Sequence, residues 1–176
     1  MNMKIEKLAI FNLSMNLDNH VLANTNLWVN EFSKHFERVN VYSTHVGRYS
    51  VPNNVYVEEI GGGSLRKRAI ALAKLTLIAL KMYKARKDVV VFHHQSPRTA
   101  VYPGIIFRII GVKQGLWYSH SSNPPSLIVG TKIVDYVFSS TDDSLPFKSR
   151  KSLFMGHGIN TQQALKVKSE RTAKRE

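Results

Sequence analysis

The chain has 176 residues, 43% of them hydrophobic, which predicts one globular domain with a substantial core. It contains no cysteine, which excludes disulfides, thiolate metal ligands and a cysteine nucleophile. No apolar run approaches the roughly 20 residues of a membrane span, and the apolar residues 8–13 are too few for a signal peptide, so a cytoplasmic protein, soluble or peripheral at the inner membrane face, is expected.

In chain order, residues 7–13 predict a buried strand and residues 14–20 a polar loop. Apolar residues at helical spacing predict a helix over 21–36, and alternation predicts a strand over 38–43. Residues 55–59 predict an edge strand. A long helix is then expected from Ser64, as its N-cap, to about residue 86.

Residues 88–92 form a β-branched run typical of a central parallel strand. A helix is expected to begin at Ser96-Pro97 and to close at Gly111, followed by a strand over 115–118. A helix after Pro124-Pro125 and strands over 136–139 and 152–155 complete the pattern. This alternation predicts an α/β fold with a doubly wound, mostly parallel Rossmann-like sheet. We expect one domain over 1–160 and a basic tail or linker start over 161–176.

The net charge is +13, and its excess is concentrated in the long helix: residues 64–87 include eight basic residues and no acidic one. Arg66, Lys67 and Arg68 open this run. Such a surface attracts phosphate, and we expect anionic lipid ahead of nucleic acid as its source. The alternative is a solvated helix face. The preceding glycines, 61–63, favour a flexible connection over a phosphate loop, because they lack the fingerprint spacing and the P-loop lysine.

Polar residues follow several predicted strands, at the sheet edge where open α/β sheets bind ligands. They include His120, Ser139, Ser140, His157 and Gly158. Adjacent His93 and His94 point to opposite faces of their strand, so we expect one to pack or hydrogen-bond locally and the other to line the cleft. His120 could donate to a sugar hydroxyl or a phosphate oxygen, or accept a proton.

Asp142-Asp143 diverge as neighbours, so they are interpreted with Thr141 as helix-capping residues instead of a catalytic carboxylate pair. Asp135 precedes a strand at the opposite edge and is expected to be structural. No pattern indicates a metal site, a Walker motif or a nucleophile elbow.

Several segments resemble, in order and spacing, the N-terminal domain of family 4 glycosyltransferases of the GT-B fold. The segments are the stretch 19–47 with Trp28, "DVVVFHHQSP", "LWYSH", "VDYVFSST" and "FMGHGIN". The chain departs from that pattern in three places. The usual paired glycines are missing from 14–26, His157 stands where asparagine is common, and Asn160 replaces aspartate.

The resemblance implies transfer of a sugar from a nucleotide sugar to a glycan or a lipid-linked acceptor, with retention and without a metal or other cofactor. It makes His120 the family histidine facing the cleft and a candidate catalytic residue. Acceptor contacts are expected from Asn19, His20, His94, Ser139 and Ser140, with Gly158 near the hinge. The E-x7-E pair of the family's donor domain is absent, so this half is expected to be inactive without a donor domain or a partner chain.

Two other interpretations remain. A non-catalytic split or truncated module could bind a partner chain or an anionic surface, and would carry an apolar patch. An independent nucleotide-binding Rossmann protein is disfavoured, because the first strand is not followed by GxGxxG.

Overall fold

A computed structural model describes residues 5–19, 22, 24–61, 65–147 and 149–156, with Leu65 and Arg68 placed only as members of their helix. The predictions for His20, Gly62, Gly63, Ser64, His157, Gly158, Asn160 and the tail at 161–176 lie outside the described residues.

Strands and helices alternate along the described chain. The strands are β1 (Lys7–Met15), β2 (Arg38–Val46), β3 (Val55–Glu59), β4 (Val89–His94), β5 (Lys113–Trp117), β6 (Tyr136–Ser139) and β7 (Ser152–Phe154). The helices are α1 (Asn24–Ser33), α2 (Leu65–Met82), α3 (Pro97–Val101), α4 (Gly104–Ile109) and α5 (Pro125–Ile133), with a 3₁₀ turn at Asp142–Ser144.

All seven strands are parallel and lie in the order β3-β2-β1-β4-β5-β6-β7. The order reverses between β1 and β4, so the crevice at their carboxyl ends is the expected ligand position. The predicted α/β, doubly wound sheet is therefore confirmed, with β3 at an edge and β4 central.

Helices cover the two faces of the sheet unequally. On one face, Leu75 of α2 and Phe107 of α4 pack on Phe11, while Leu127 of α5 packs with Leu116. On the other face α1 packs on β1 and β2, through Val29. The part of that face formed by β4, β5 and β6 has no helix over it among the described residues.

Several predicted boundaries were wrong by a few residues. β1 continues to Met15, β2 to Val46 and β4 to His94, because parallel pairing with neighbours extends each strand into polar sequence. The predicted helix over 21–36 spans only Asn24–Ser33, and the long helix ends at Met82.

The single helix expected between Ser96 and Gly111 is two helices. Pro103 separates α3 from α4, since proline lacks the N–H that a continuing helix needs and its ring clashes with the preceding turn. Gly111 does follow the second helix, with φ of +80°. Thr141 stands at the N-cap of the 3₁₀ turn, but its hydroxyl contacts the Ser144 hydroxyl and caps no backbone N–H.

Asp135 is structural, as predicted. Its carboxylate accepts hydrogen bonds from the Gln114 backbone N–H and from Lys113 Nζ, at 2.9 and 2.8 Å. These contacts tie the loop before β6 to the amino end of β5. Within the part of the chain that the structure describes, no helix is both long and apolar enough to cross a bilayer.

Candidate functional site

A cleft of about 510 Å³ opens at the carboxyl ends of the strands, beside the point where the strand order reverses. We call it the polar cleft. Its lining includes Trp28, His94, Gln95, Trp117, Ser119 and His120. The described residues that line it include no carboxylate, lysine or arginine.

Two tryptophans form the aromatic part of this lining. Trp28 reaches it from α1 and Trp117 from the last position of β5, and their ring centroids lie 4.8 Å apart. The His94 ring lies 5.3 Å from that of Trp28. Neither tryptophan was predicted as a site residue from the sequence, because aromatic residues on helices and strands usually belong to the core.

The two adjacent histidines of β4 have different environments, as their opposite directions predict. His93 is fully buried, with Nε2 3.2 Å from Gln114 Oε1 and Nδ1 2.9 Å from Thr99 Oγ1. An amide oxygen only accepts, so Nε2 carries the proton of the neutral ring. The Thr99 hydroxyl contacts Nδ1 and donates to the Ser96 carbonyl oxygen at 2.8 Å. His94 lines the polar cleft. Burial lowers the pKa of each histidine to about 4, so both are neutral at pH 7.

His120 is exposed at the mouth of the polar cleft, and a local turn fixes which of its nitrogens faces outward. The Ser122 backbone N–H donates to His120 Nδ1 at 2.9 Å. The proton of the neutral ring is therefore on Nε2, which is a hydrogen-bond donor. The His120 backbone N–H in turn donates to Ser144 O at 3.1 Å. This geometry suits donation to a ligand oxygen better than proton abstraction.

Ser139 ends β6 and Ser140 follows it; both are buried, and neither is part of the lining of the polar cleft. The Ser140 hydroxyl contacts those of Ser119 and Ser144, the latter at 2.9 Å. Ser119 lines the cleft, so Ser140 contributes to the cleft only indirectly, by holding the Ser119 hydroxyl. The Ser139 hydroxyl has no hydrogen-bond partner among the described residues.

Asn19 belongs to the loop after β1, and its Oδ1 accepts from the Leu22 backbone N–H at 2.9 Å. Leu22 lines the polar cleft, which gives Asn19 a loop-shaping position beside it. Thr25, in the first turn of α1, also lines the cleft, and its buried hydroxyl has no hydrogen-bond partner among the described residues.

Gln95, between β4 and α3, has a backbone φ of +53°, which L-residues adopt at a cost. Its backbone N–H donates to Trp117 O at 2.9 Å, and this bond holds the β4 end against the β5 end. Gln95 was not predicted from the sequence, because its backbone strain follows from how the strand ends meet and leaves no pattern in the composition.

A second concavity, of about 530 Å³, lies on the part of the sheet that no described helix covers. We call it the apolar groove. Its lining includes Phe32, Phe92, Gly115, Trp117, Phe138 and Met155. A Cβ at Gly115 would lie 2.7 Å from the Phe138 ring, so only glycine lets that ring lie over β5. An apolar surface of this kind is what the hypothesis of a non-catalytic split or truncated module predicts.

Arg66 and Lys67, which were predicted to attract phosphate, are exposed in the first turn of α2, and Arg68 follows them in the same helix. None of them lines the polar cleft. No cluster of three or more histidines and carboxylates spaced for a metal ion occurs among the described residues. Asp142 and Asp143 are exposed in the 3₁₀ turn.

No protein-family model and no curated protein matches the chain. Solved structures do. The chain is similar to MurG of Acinetobacter baumannii, with a TM-score of 0.57 and 11% identity, over 85% of this chain and 45% of that one. It is similar to UDP-GlcNAc 2-epimerase of Methanocaldococcus jannaschii, with a TM-score of 0.55 and 14% identity, over 86% and 45%.

A further UDP-N-acetylglucosamine 2-epimerase gives a TM-score of 0.54 and 12% identity, over 86% of this chain and 48% of that one. The chain thus spans about half the length of the solved structures it matches. At these identities the similarity is one of fold. The chain has the Rossmann-like fold of one half of a GT-B protein.

Proposed function

We propose that this chain is the N-terminal, acceptor-side half of a family 4 glycosyltransferase. The reaction would pass a sugar from a nucleotide sugar to a glycan or a lipid-linked acceptor. The observation that carries the proposal is the polar cleft, where two tryptophans and two histidines meet at the carboxyl ends of the strands. The half-length match to GT-B structures, including one named MurG, supports the same reading.

The chemistry of the cleft favours a neutral sugar as its ligand. The apolar C–H face of a pyranose packs on an aromatic ring, and its hydroxyls need donors and acceptors around the rim. Trp28 supplies a half-buried ring, which packs against the buried ring of Trp117, while His120 Nε2–H is a donor and the Ser119 hydroxyl both donates and accepts. A diphosphate would find no lysine or arginine among the described residues of the lining. The cleft is therefore assigned to the acceptor.

In the proposed reaction the acceptor hydroxyl oxygen forms a bond to the anomeric carbon, while the bond from that carbon to the diphosphate oxygen breaks. The hydroxyl proton passes to the leaving diphosphate. His120, the candidate catalytic residue, orients the acceptor hydroxyl by donating to a neighbouring oxygen. Retention at the anomeric carbon follows from the family resemblance, and the anomeric configuration of the product tests it.

The donor nucleotide sugar would be held by a second domain or a partner chain. No two glutamates of this sequence have the E-x7-E spacing that the family uses for the donor. The chain alone would therefore bind acceptor and transfer nothing. No cofactor or metal is needed, and the working place is the cytoplasm or the inner face of a membrane.

Tryptophan fluorescence tests the assignment directly, because the chain has two tryptophans and both line the cleft. Titration with a panel of neutral mono- and disaccharides should give a saturable change for at least one, while UDP should give none. A saturable response to UDP with no response to any saccharide would reject the acceptor assignment.

The apolar groove supports a second candidate: a non-catalytic module that binds a partner chain. Its rings, from Phe92, Trp117 and Phe138, would be covered by an apolar helix face of the partner. Under this alternative the polar cleft binds no saccharide, and the protein self-associates or is recovered in complex with one partner.

A further inference from the structure

Helix α2 is apolar on two opposite sides, and only one of them packs in the core formed by the described residues. Its inner side packs in the core through Leu75, Ile78 and Met82. Its outer side carries Ile70, Leu77 and Leu80, which we call the outer stripe. Their spacing of seven and three residues places them along one line of the helix. Each is at least half exposed, Leu77 by 57%.

The neighbouring helix α4, which packs against α2, also exposes large aliphatic side chains. Ile105 is about half exposed and Ile109 is 78% exposed. A surface patch of this kind, rimmed by charge, marks an interaction site. The polar cleft does not use it, because none of these residues lines the cleft.

The charges beside the outer stripe all have one sign. Arg66, Lys67, Lys74, Lys81 and Lys84 are exposed along α2 and just after it, and residues 64–87 include no acid. None of the ion pairs between described residues involves an α2 side chain. Lys74 Nζ instead donates to the backbone oxygen of Glu59, at 3.3 Å.

We propose that α2 docks in the plane of an anionic lipid bilayer, with the outer stripe inserted among the lipids. Apolar side chains gain by leaving water at the acyl boundary, and the flanking lysines reach the headgroup phosphates with their stems along apolar surface. Nucleic acid would pair with the cations but would leave the stripe in water. A protein partner would need an acidic rim around an apolar centre.

The docked orientation follows from the topology. α2 leaves the carboxyl edge of the sheet after β3, so Arg66 and Lys67 stand at the edge that carries the polar cleft, and Lys81 and Lys84 at the other. The helix, of 18 residues, is about 27 Å long. Docking does not depend on the proposed function, since the stripe and the cleft share no residue.

The insertion can be measured with a fluorophore, because the chain has no native cysteine to remove. Leu77→Cys labelled with an environment-sensitive dye should shift to the blue when vesicles of phosphatidylcholine and phosphatidylglycerol are added. The matched control is Leu27→Cys on α1, whose leucine is also about half exposed, and it should not shift. Equal shifts at both positions, or none at position 77, overturn the proposal.

Co-sedimentation of the full chain with the same vesicles separates the electrostatic contribution of the lysines from the apolar contribution of the outer stripe. K81Q/K84Q should weaken binding roughly thirtyfold, since each cation near an anionic surface is worth about a factor of five. K34Q/K132Q makes the same change in net charge on other helical surfaces and should weaken it far less. R66Q/K67Q applies the same measurement to the two cations in the first turn of α2.

L77S/L80S should weaken binding at least about tenfold, both to these vesicles and to vesicles of phosphatidylcholine alone, by removing inserted apolar surface. L27S/L153S is its control. Two results would contradict docking: binding that does not respond to phosphatidylglycerol, and binding that survives L77S/L80S unchanged. Wild-type protein that binds no vesicle but is held by one acidic protein would assign the patch to that partner and reject the bilayer.

Discussion

The indole rings of Trp28 and Trp117 lie 4.8 Å apart, and both residues line the polar cleft and the apolar groove. The two concavities therefore share a wall. A helix or domain that covers the groove would press on the same rings that face the cleft. This gives a physical route by which a second domain could order the acceptor site, because rings held by packing lose less freedom when a sugar binds.

His120 is expected to act as a donor through Nε2. In His120→Asn the shorter side chain still offers an acceptor to the Ser122 N–H, but it does not reach into the cleft. The affinity for the saccharide should therefore fall about three- to tenfold, which is the contribution of one neutral hydrogen bond. His120→Gln places an amide N–H near the position of Nε2 and should retain part of the affinity. Fluorescence titration of the three proteins measures this. Equal affinity for wild type and His120→Asn would remove His120 from the site.

Gln95 holds a left-handed backbone, which glycine adopts without strain. Gln95→Gly should therefore raise the free energy of unfolding by up to about 1 kcal/mol, measured by urea denaturation. Gln95→Ala keeps the strain and removes the amide, so comparison of the two variants separates backbone from side chain. A clear loss of stability in Gln95→Gly would contradict the left-handed conformation.

Burial of two neutral histidines makes stability depend on pH. Their pKa is about 4 in the folded chain and about 6.5 when exposed, so the unfolded state binds more protons between these values. Stability should be full above pH 6.5 and should fall as the pH drops towards 4, by on the order of 3 kcal/mol for His93. His93→Gln should flatten the profile. His35→Gln, at an exposed site, should not.

Tyr136 and Tyr56 form a matched pair, since each is 51% exposed on a strand but only Tyr136 lines the apolar groove. Tyr136→Ser should weaken binding of an apolar dye such as anilinonaphthalene sulfonate about fivefold, by exposing the groove to water. Tyr56→Ser should leave it unchanged. The same loss in both variants would show that the dye does not report on the groove.

The sheet could be predicted from the sequence because its strands carry strong local patterns. The bounds of β3 and β6 were predicted to the residue, and the parallel order followed from alternation. The split at Pro103 could have been predicted from the proline itself. The extension of β4 through His94 could not, because it depends on pairing with Trp117 of β5.

The candidate site was predicted only in part. Polar residues at strand ends pointed to His94 and His120, and both line the polar cleft. The burial of Ser139 and Ser140 depends on the turn that covers them, which tertiary packing decides. Trp28 faces the cleft because of how α1 lies on the sheet, and its sequence pattern is that of any core aromatic residue.

The most direct test of the central claim is nuclear magnetic resonance of the two indole N–H groups, which both report from the cleft wall. Addition of the saccharide selected by fluorescence should shift both signals in wild type, and less in His120→Asn, while UDP leaves them in place. Indole signals that shift on addition of UDP but with no saccharide would contradict the account, and would assign this cleft to the nucleotide instead of the acceptor.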